Sequence, residues 1–436
     1  MGASDAPSDV EWREDHISVL SEVWELLDAE VGRAVRIISS LTMRLHAMTQ
    51  VVAATRVSSP VMPHTVATRA ALHVMPHTVT TRIASPVMLS TTLSVASAAA
   101  MFLLLRVARK WEPRMSILLN LIFLFVAPPK FTAVTDDADP AMGSHIRALR
   151  ETHAKGMVAL PGVDVGATEA LILPRPSGDG DGVPVRMYYP ESVEDSPLPW
   201  LLYCHGGGWA LGSVETHDAF CRRLCAGAGV VVASVEYRQS PEHKFPAAED
   251  DCYDAFKALL NLSSGIRTLR PLDSSRVAVA GDSSGGTLAA GVAIRAARDS
   301  IAIRLQLLLC PALDAAANTP SYETNANAPG LSAEAMRWLW DRYLPADDAA
   351  ARLAASPMQA ASLSGVAPAY LVAAELDVLR DEAEVYAARI RGTGGQATFV
   401  SYEGAVHAFL VYAGTPLALG DVALDEAVAY LSFSMR

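Results

Sequence analysis

The chain has no H-E-x-x-H pair, no P-loop and no G-x-G-x-x-G fingerprint. Zincin-type hydrolysis, P-loop phosphoryl transfer and Rossmann dinucleotide binding therefore have no support in it. Cysteine is scarce. Cys204, Cys221, Cys225, Cys252 and Cys310 make an odd count with no C-x-x-C spacing, so neither a disulfide framework nor a zinc ribbon is expected. Positive charge is short overall: 35 Lys and Arg against 47 Asp and Glu leave a net charge of −12 over 436 residues, which argues against a nucleic-acid partner. Apolar residues are not lacking. At 51% hydrophobic and 19% charged, the chain has the composition of a folded protein.

Acids are also missing locally. Residues 31–130 hold one, Glu112, among eleven bases, whereas residues 1–30 hold nine acids and one base. Such asymmetry marks regions with different surroundings. In residues 1–58, Ile17, Leu20, Val23, Trp24, Leu27, Val31 and Val35 recur at helical spacing, which predicts an amphipathic helix. Residues 59–82 carry a 13-residue repeat: Val61-Met62-Pro63-His64-Thr65 returns as Val74-Met75-Pro76-His77-Thr78. Two copies are too few to stack a solenoid, so a linker is expected. His64, His73 and His77 have no acidic or thiol ligand nearby, so no metal site is expected. Residues 83–138 contain two uncharged runs, Ile83–Leu105 and Met115–Pro129, separated by Arg106, Arg109, Lys110 and Arg114. The first is long enough to span a bilayer and the second suits an interfacial segment, so residues 83–130 are expected to associate with a membrane.

From residue 139 the pattern changes. Short apolar runs at Ala170–Leu173, Val185–Tyr189, Trp200–Cys204, Val230–Val235, Val277–Ala280, Leu305–Leu309, Tyr370–Ala374 and Thr398–Tyr402 alternate with helical stretches such as His217–Ala226, Ala247–Leu260 and Thr287–Arg298. That alternation predicts an α/β domain over 139–436, with an eight-stranded, mostly parallel sheet covered by helices on both faces. Chemistry in such a sheet belongs beyond the carboxyl ends of the strands.

Two motifs sit there. Gly281-Asp282-Ser283-Ser284-Gly285-Gly286 lies between a strand and a helix, the setting of a G-x-S-x-G nucleophile elbow. His205-Gly206-Gly207-Gly208-Trp209 directly follows another strand. Its glycines free backbone N–H groups for a developing oxyanion, so Gly206, Gly207, Gly208 and Ser284 are the expected donors. A serine nucleophile needs a base, and only one histidine, His407, follows Ser283 in the chain.

Together these motifs resemble the hormone-sensitive-lipase-like branch of the α/β-hydrolases, which includes bacterial family IV esterases, plant carboxylesterases and arylacetamide deacetylases. Tyr237-Arg238-Gln239-Ser240-Pro241-Glu242 through Phe245-Pro246-Ala247-Ala248 is similar to a further block of that family. The resemblance covers 139–436. It implies an α/β-hydrolase fold with a helical cap, here about 139–160 and 311–360, and a catalytic triad of Ser283, Asp377 and His407. Asp377 opens Asp377-Val378-Leu379-Arg380-Asp381-Glu382, which matches the family's D-x-L-x-D-E segment; Glu375 and Asp381 are expected to be structural. Asp282 is expected to be structural too, and His205 to hold the oxyanion loop rather than move protons.

The implied activity is serine carboxylesterase, acting on uncharged acyl esters of short to medium chain without metal or cofactor. Trp209 and Trp338 are expected to line the substrate site. Ser284 stands where the family usually has Ala, and its hydroxyl is expected to alter the polarity of the acyl pocket. An acyltransferase with the same triad, or a non-catalytic receptor on the same scaffold, remain alternatives. The hydrophobic N-terminal runs favour an endomembrane location. The sequon Asn261-Leu262-Ser263 points to the lumen or outside, whereas the cysteines point to a reducing compartment.

Overall fold

In the computed structural model, the described residues are 142–436 without 158–159, 161, 177–181, 192–195, 262–265 and 414–417. The amphipathic, repeat and hydrophobic segments expected over 1–138 lie outside them. Among the described residues, no helix is long and apolar enough to cross a membrane.

Eight strands form one sheet: β1 (Ala167–Leu173), β2 (Val183–Tyr189), β3 (Leu198–Cys204), β4 (Val231–Val235), β5 (Leu272–Asp282), β6 (Leu305–Leu309), β7 (Ala369–Leu376) and β8 (Ala397–Val406). Their spatial order is β1-β2-β4-β3-β5-β6-β7-β8. Only β2 runs against the rest, pairing antiparallel with β1 and β4. All eight apolar runs read from the sequence are strands. The structure extends β5 back through Asp273, Ser274 and Ser275, whose polar, partly exposed side chains gave no apolar signal.

The central strands β4 and β6 are buried along their whole length, as a sheet covered on both faces requires. Side chains alternate between two cores. Trp200, Leu202, Val277, Val279, Leu371 and Ala373 face one side, while Leu201, Tyr203, Ala278, Ala280, Tyr370 and Val372 face the other. Helices α3 (Ala247–Leu260), α4 (Ser284–Arg298) and α8 (Arg380–Gly392) cover the first face through Phe256, Val292 and Tyr386. Helices α2 (Asp218–Ala228) and α9 (Ala418–Ser434) cover the second through Phe220, Leu224, Leu424 and Leu431. All five cysteines are buried free thiols.

The remaining helices gather over the carboxyl ends of the strands. Helix α1 (Met142–Met157) precedes the sheet, and α5 (Ser321–Thr324), α6 (Ala333–Tyr343) and α7 (Ala349–Ala354) fill the link between β6 and β7. Ser332 and Asp348 cap α6 and α7 by accepting the N–H groups of Ala335 and Ala351. Arg150 anchors α1. Its guanidinium makes a bidentate pair with Glu242 and donates to the carbonyls of Ala210 and Ser240, next to the glycine loop.

Candidate active site

Strand β5 ends at Asp282, and α4 begins at Ser284. The residue between them, Ser283, has φ 54° and ψ −121°. This left-handed backbone projects its hydroxyl away from both elements. The turn is held from outside: the Ser283 N–H donates to Leu309 O (2.9 Å), and its carbonyl accepts from Gly286 and Ala312 N–H (3.0 and 3.1 Å). Strand and helix can meet so tightly only because side chains are missing. A Cβ on Gly285 would lie 2.0 Å from the carbonyl oxygen of Cys204 and 2.6 Å from that of His205. Neither backbone atom can move without shifting β3. Gly285→Ala is therefore expected to destabilise the fold by about 3 kcal/mol or more, read as a lower urea midpoint or loss of soluble protein. An unchanged midpoint would refute this close approach.

The sequence-derived triad residues come together. His407 lies in the turn after β8, with Nε2 2.9 Å from Ser283 Oγ and Nδ1 2.7 Å from Asp377 Oδ2. Asp377 follows β7, and its other oxygen accepts the N–H of Leu379 (3.0 Å), which fixes the carboxylate plane. Glu375 Oε2 accepts the Gly404 N–H (2.7 Å) and so holds the loop that carries His407. Asp381 accepts the Ser321 N–H and pairs with Arg380. Burial alone would depress the imidazole; the charge and hydrogen bond of Asp377 outweigh it and hold His407 above the ordinary histidine value. Ser283 and His407 are only 7% and 8% exposed, so the line of three is shielded from bulk water.

The glycine loop differs in part from expectation. Gly207 and Gly208 have φ of 120° and 62°, and their N–H groups, with that of Ser284, meet no acceptor among the described residues. Gly206 does not belong with them. Its N–H donates to Asp282 Oδ1 (2.9 Å), so it is an anchor rather than an oxyanion donor. Asp282 also accepts from the Tyr203 hydroxyl and faces His217 Nε2 at 3.5 Å. Burial would push this carboxyl up, yet His217 and Tyr203 hold it down at about 2. Asp282 is thus an ionised post beneath the loop, held by partners that lie far from it in sequence. His205 is driven down to about 3 by burial and by His217, and stays neutral. It lies in van der Waals stacking with Tyr237 (4.3 Å between ring centres), while its Nδ1 is 2.9 Å from Gly206 O. That makes it a prop, not a proton carrier.

Trp209 departs from its expected role. It is completely buried, stacked on Tyr343 at 4.4 Å and tilted against Trp340 at 4.1 Å. It joins the glycine loop to α6 and offers no face to a substrate. Trp338 is likewise buried, edge-on to His145 of α1 with the Arg342 guanidinium over its ring. Aromatic residues after a glycine loop do not reveal in sequence which way their rings turn. Nor does the Ser284 hydroxyl face an acyl pocket: it is buried and accepts the backbone N–H of Trp209 at 3.1 Å.

Sequence reasoning does not single out Glu382. Burial pushes it up to about 8, and its Oε2 accepts the N–H groups of Leu313 and Asp314, fixing the start of the cap segment to α8. Among the described residues, one group has metal-ligating atoms close together: Cys310, Asp377 and His407, within 4.8 Å of one another. Asp377 and His407 already hydrogen-bond each other there. Taken together, the arrangement can activate a hydroxyl, stabilise the resulting imidazolium and present N–H groups to a nearby anionic oxygen.

Known proteins share this framework. A family model described as alpha/beta hydrolase fold matches residues 201–411. The carboxylic ester hydrolase LipN of Mycobacterium tuberculosis is 40% identical over 287 residues, which cover 63% of this chain and 71% of LipN. The ethyl acetate hydrolase of Pseudomonas putida is 36% identical, covering 53% of this chain and 73% of that enzyme. The structure of EstE1, a thermostable carboxylesterase cloned from a metagenomic library, superposes with a TM-score of 0.61 at 35% identity, covering 67% of this chain and 98% of EstE1. With the elbow, the glycine loop and the sheet order all in place, the chain belongs to the hormone-sensitive-lipase-like branch of the α/β-hydrolases, a family of carboxylic ester hydrolases.

Proposed function

We propose that the chain is a serine carboxylesterase that hydrolyses uncharged acyl esters of short to medium length through an acyl-enzyme. The observation that carries the reading is His407, within hydrogen-bond reach of Ser283 Oγ on one side and Asp377 on the other. Ser283 Oγ attacks the ester carbonyl while His407 Nε2 takes its proton. Asp377 keeps the Nδ1–H tautomer and stabilises the imidazolium. The N–H groups of Gly207, Gly208 and Ser284 receive the oxyanion, a contribution of about 10²–10³ per donor in well-studied cases. His407 then protonates the departing alcohol. Water enters, loses its proton to the same nitrogen, and releases the acid.

Crowding at the glycine loop supports a small acyl group. Helix α6 comes down on the glycine loop so closely that a Cβ on Gly208 would lie 2.4 Å from Leu339 Cδ2. The relative named for ethyl acetate points the same way. Hydrolysis of p-nitrophenyl esters from acetate to palmitate tests this. The expected kcat/KM peaks between acetate and octanoate and falls at least tenfold by palmitate. Turnover confined to the long chains would overturn the size assignment. Acyl transfer to an added alcohol in preference to water would instead make the chain an acyltransferase.

A further inference from the structure

Ser284 has two chemically distinct parts, and the mechanism above uses only its N–H. The other part, the side-chain hydroxyl, accepts the N–H of Trp209 across 75 residues of sequence. Trp209 directly follows Gly208, one of the two loop donors. It is itself strained: at φ 57° it is a bulky residue in the left-handed region, the third in succession after Gly207 and Gly208. A conformation of that kind persists only where its surroundings over-determine it. Three contacts do so here. The ring packs on Tyr343 and Trp340, the carbonyl accepts from Ser240 N–H at 2.9 Å, and the N–H donates to Ser284 Oγ.

Only the last of these reaches the nucleophile elbow. The ring and the carbonyl tie Trp209 to α6 and to the loop at Ser240. The Gly206–Asp282 bond ties the loop's other end to the elbow. The loop donors Gly207 and Gly208 are thus clamped on both sides, Gly206 to Asp282 and Trp209 to Ser284, by the residues that flank Ser283. We propose that the Ser284 side chain is a positioning residue for the oxyanion hole, setting the distance between the Gly207–Gly208 donors and the third donor, its own N–H. This rests on the serine-esterase reading and extends it. An oxyanion hole acts by preorganisation, so a loop free to drift by a fraction of an ångström stabilises the tetrahedral state less while binding the planar ester almost equally well.

The test compares wild type, Ser284→Ala and Ser284→Cys on the p-nitrophenyl ester series, with n-butylboronic acid as a tetrahedral probe. The alanine variant removes the acceptor at nearly the serine volume, and the larger cysteine variant replaces it with a poor acceptor; thermal midpoints report that each is folded. For both variants we expect kcat about tenfold lower at every chain length, KM within about twofold of wild type, and the boronate bound about tenfold more weakly. Unchanged kcat and boronate affinity in the folded variants would overturn the proposal. A loss confined to one end of the chain-length series would also overturn it, since that belongs to a hydroxyl facing the acyl pocket. Failure of the underlying reading has a different sign: wild-type turnover that survives Ser283→Ala.

Discussion

Ser283→Ala is expected to lower kcat/KM for a short p-nitrophenyl ester by about 10⁶, leaving the residual rate that an oxyanion hole and binding supply without a nucleophile. The fold should tolerate the change. Among the described residues Ser283 Oγ is paired with His407 alone, and alanine is no worse than serine at the left-handed φ of 54°. The thermal midpoint should therefore stay within a few degrees, and labelling by a fluorophosphonate should vanish. No neighbour can take over. The Ser284 hydroxyl is buried and committed to Trp209, and the Cys310 thiol is pushed well above its ordinary value by burial and by the charge of Asp377. Activity within tenfold of wild type would mean a different nucleophile and would end the serine-esterase reading.

The parts of this site that the sequence announced are those fixed by local grammar. Val277–Ala280 and Trp200–Cys204 are apolar because both faces of their strands are covered, so a strand could be read from each. Gly207, Gly281 and Gly285 are there because a Cβ would strike backbone, and Gly206 and Gly208 because it would strike the Asp282 carboxylate and the Leu339 side chain, so small residues at these positions leave a mark in the sequence. His407 was reached by exclusion, since no other histidine follows the elbow. Side-chain direction left no such mark. Nothing near Gly206 in sequence says that its N–H is spent on a carboxylate 76 positions away. Nothing near Trp209 says that its ring turns into the protein rather than toward a ligand. The helix begins at Ser284, three residues before the Thr287 that the sequence suggests, because Gly285 and Gly286 are poor helix formers. They are helical here because contacts with Cys204 and Pro311 leave room for nothing larger. Tertiary contact outweighed local preference at the positions where the chemistry is held.

Asp377→Asn gives the second large effect, and the hydrogen bonds determine how it arises. Asp377 uses one oxygen for the Leu379 N–H and the other for His407 Nδ1. An asparagine must keep its carbonyl oxygen on the Leu379 N–H, because its amide group cannot accept. The amide NH₂ is then turned toward His407 Nδ1, which must accept, and the ring proton moves to Nε2. That is the nitrogen that has to receive the Ser283 proton. The variant is thus expected to be correctly folded with its base in the wrong tautomer, at a cost of about 10⁴ in kcat. The pH profile distinguishes this from a mere loosening. His407 must be neutral to act, so kcat/KM rises with pH through its pKa. In the wild type that rise is centred above 6.5, because the charge and hydrogen bond of Asp377 prevail over burial. Without the carboxylate, burial is opposed only by the charge of Asp282, and the rise should move to lower pH. The diagnostic result is a kcat plateau about 10⁴ lower, with its acid limb displaced toward lower pH. If the limb stayed in place and kcat fell by less than about tenfold, Asp377 would not be the group that orients His407, and the triad would need another acid.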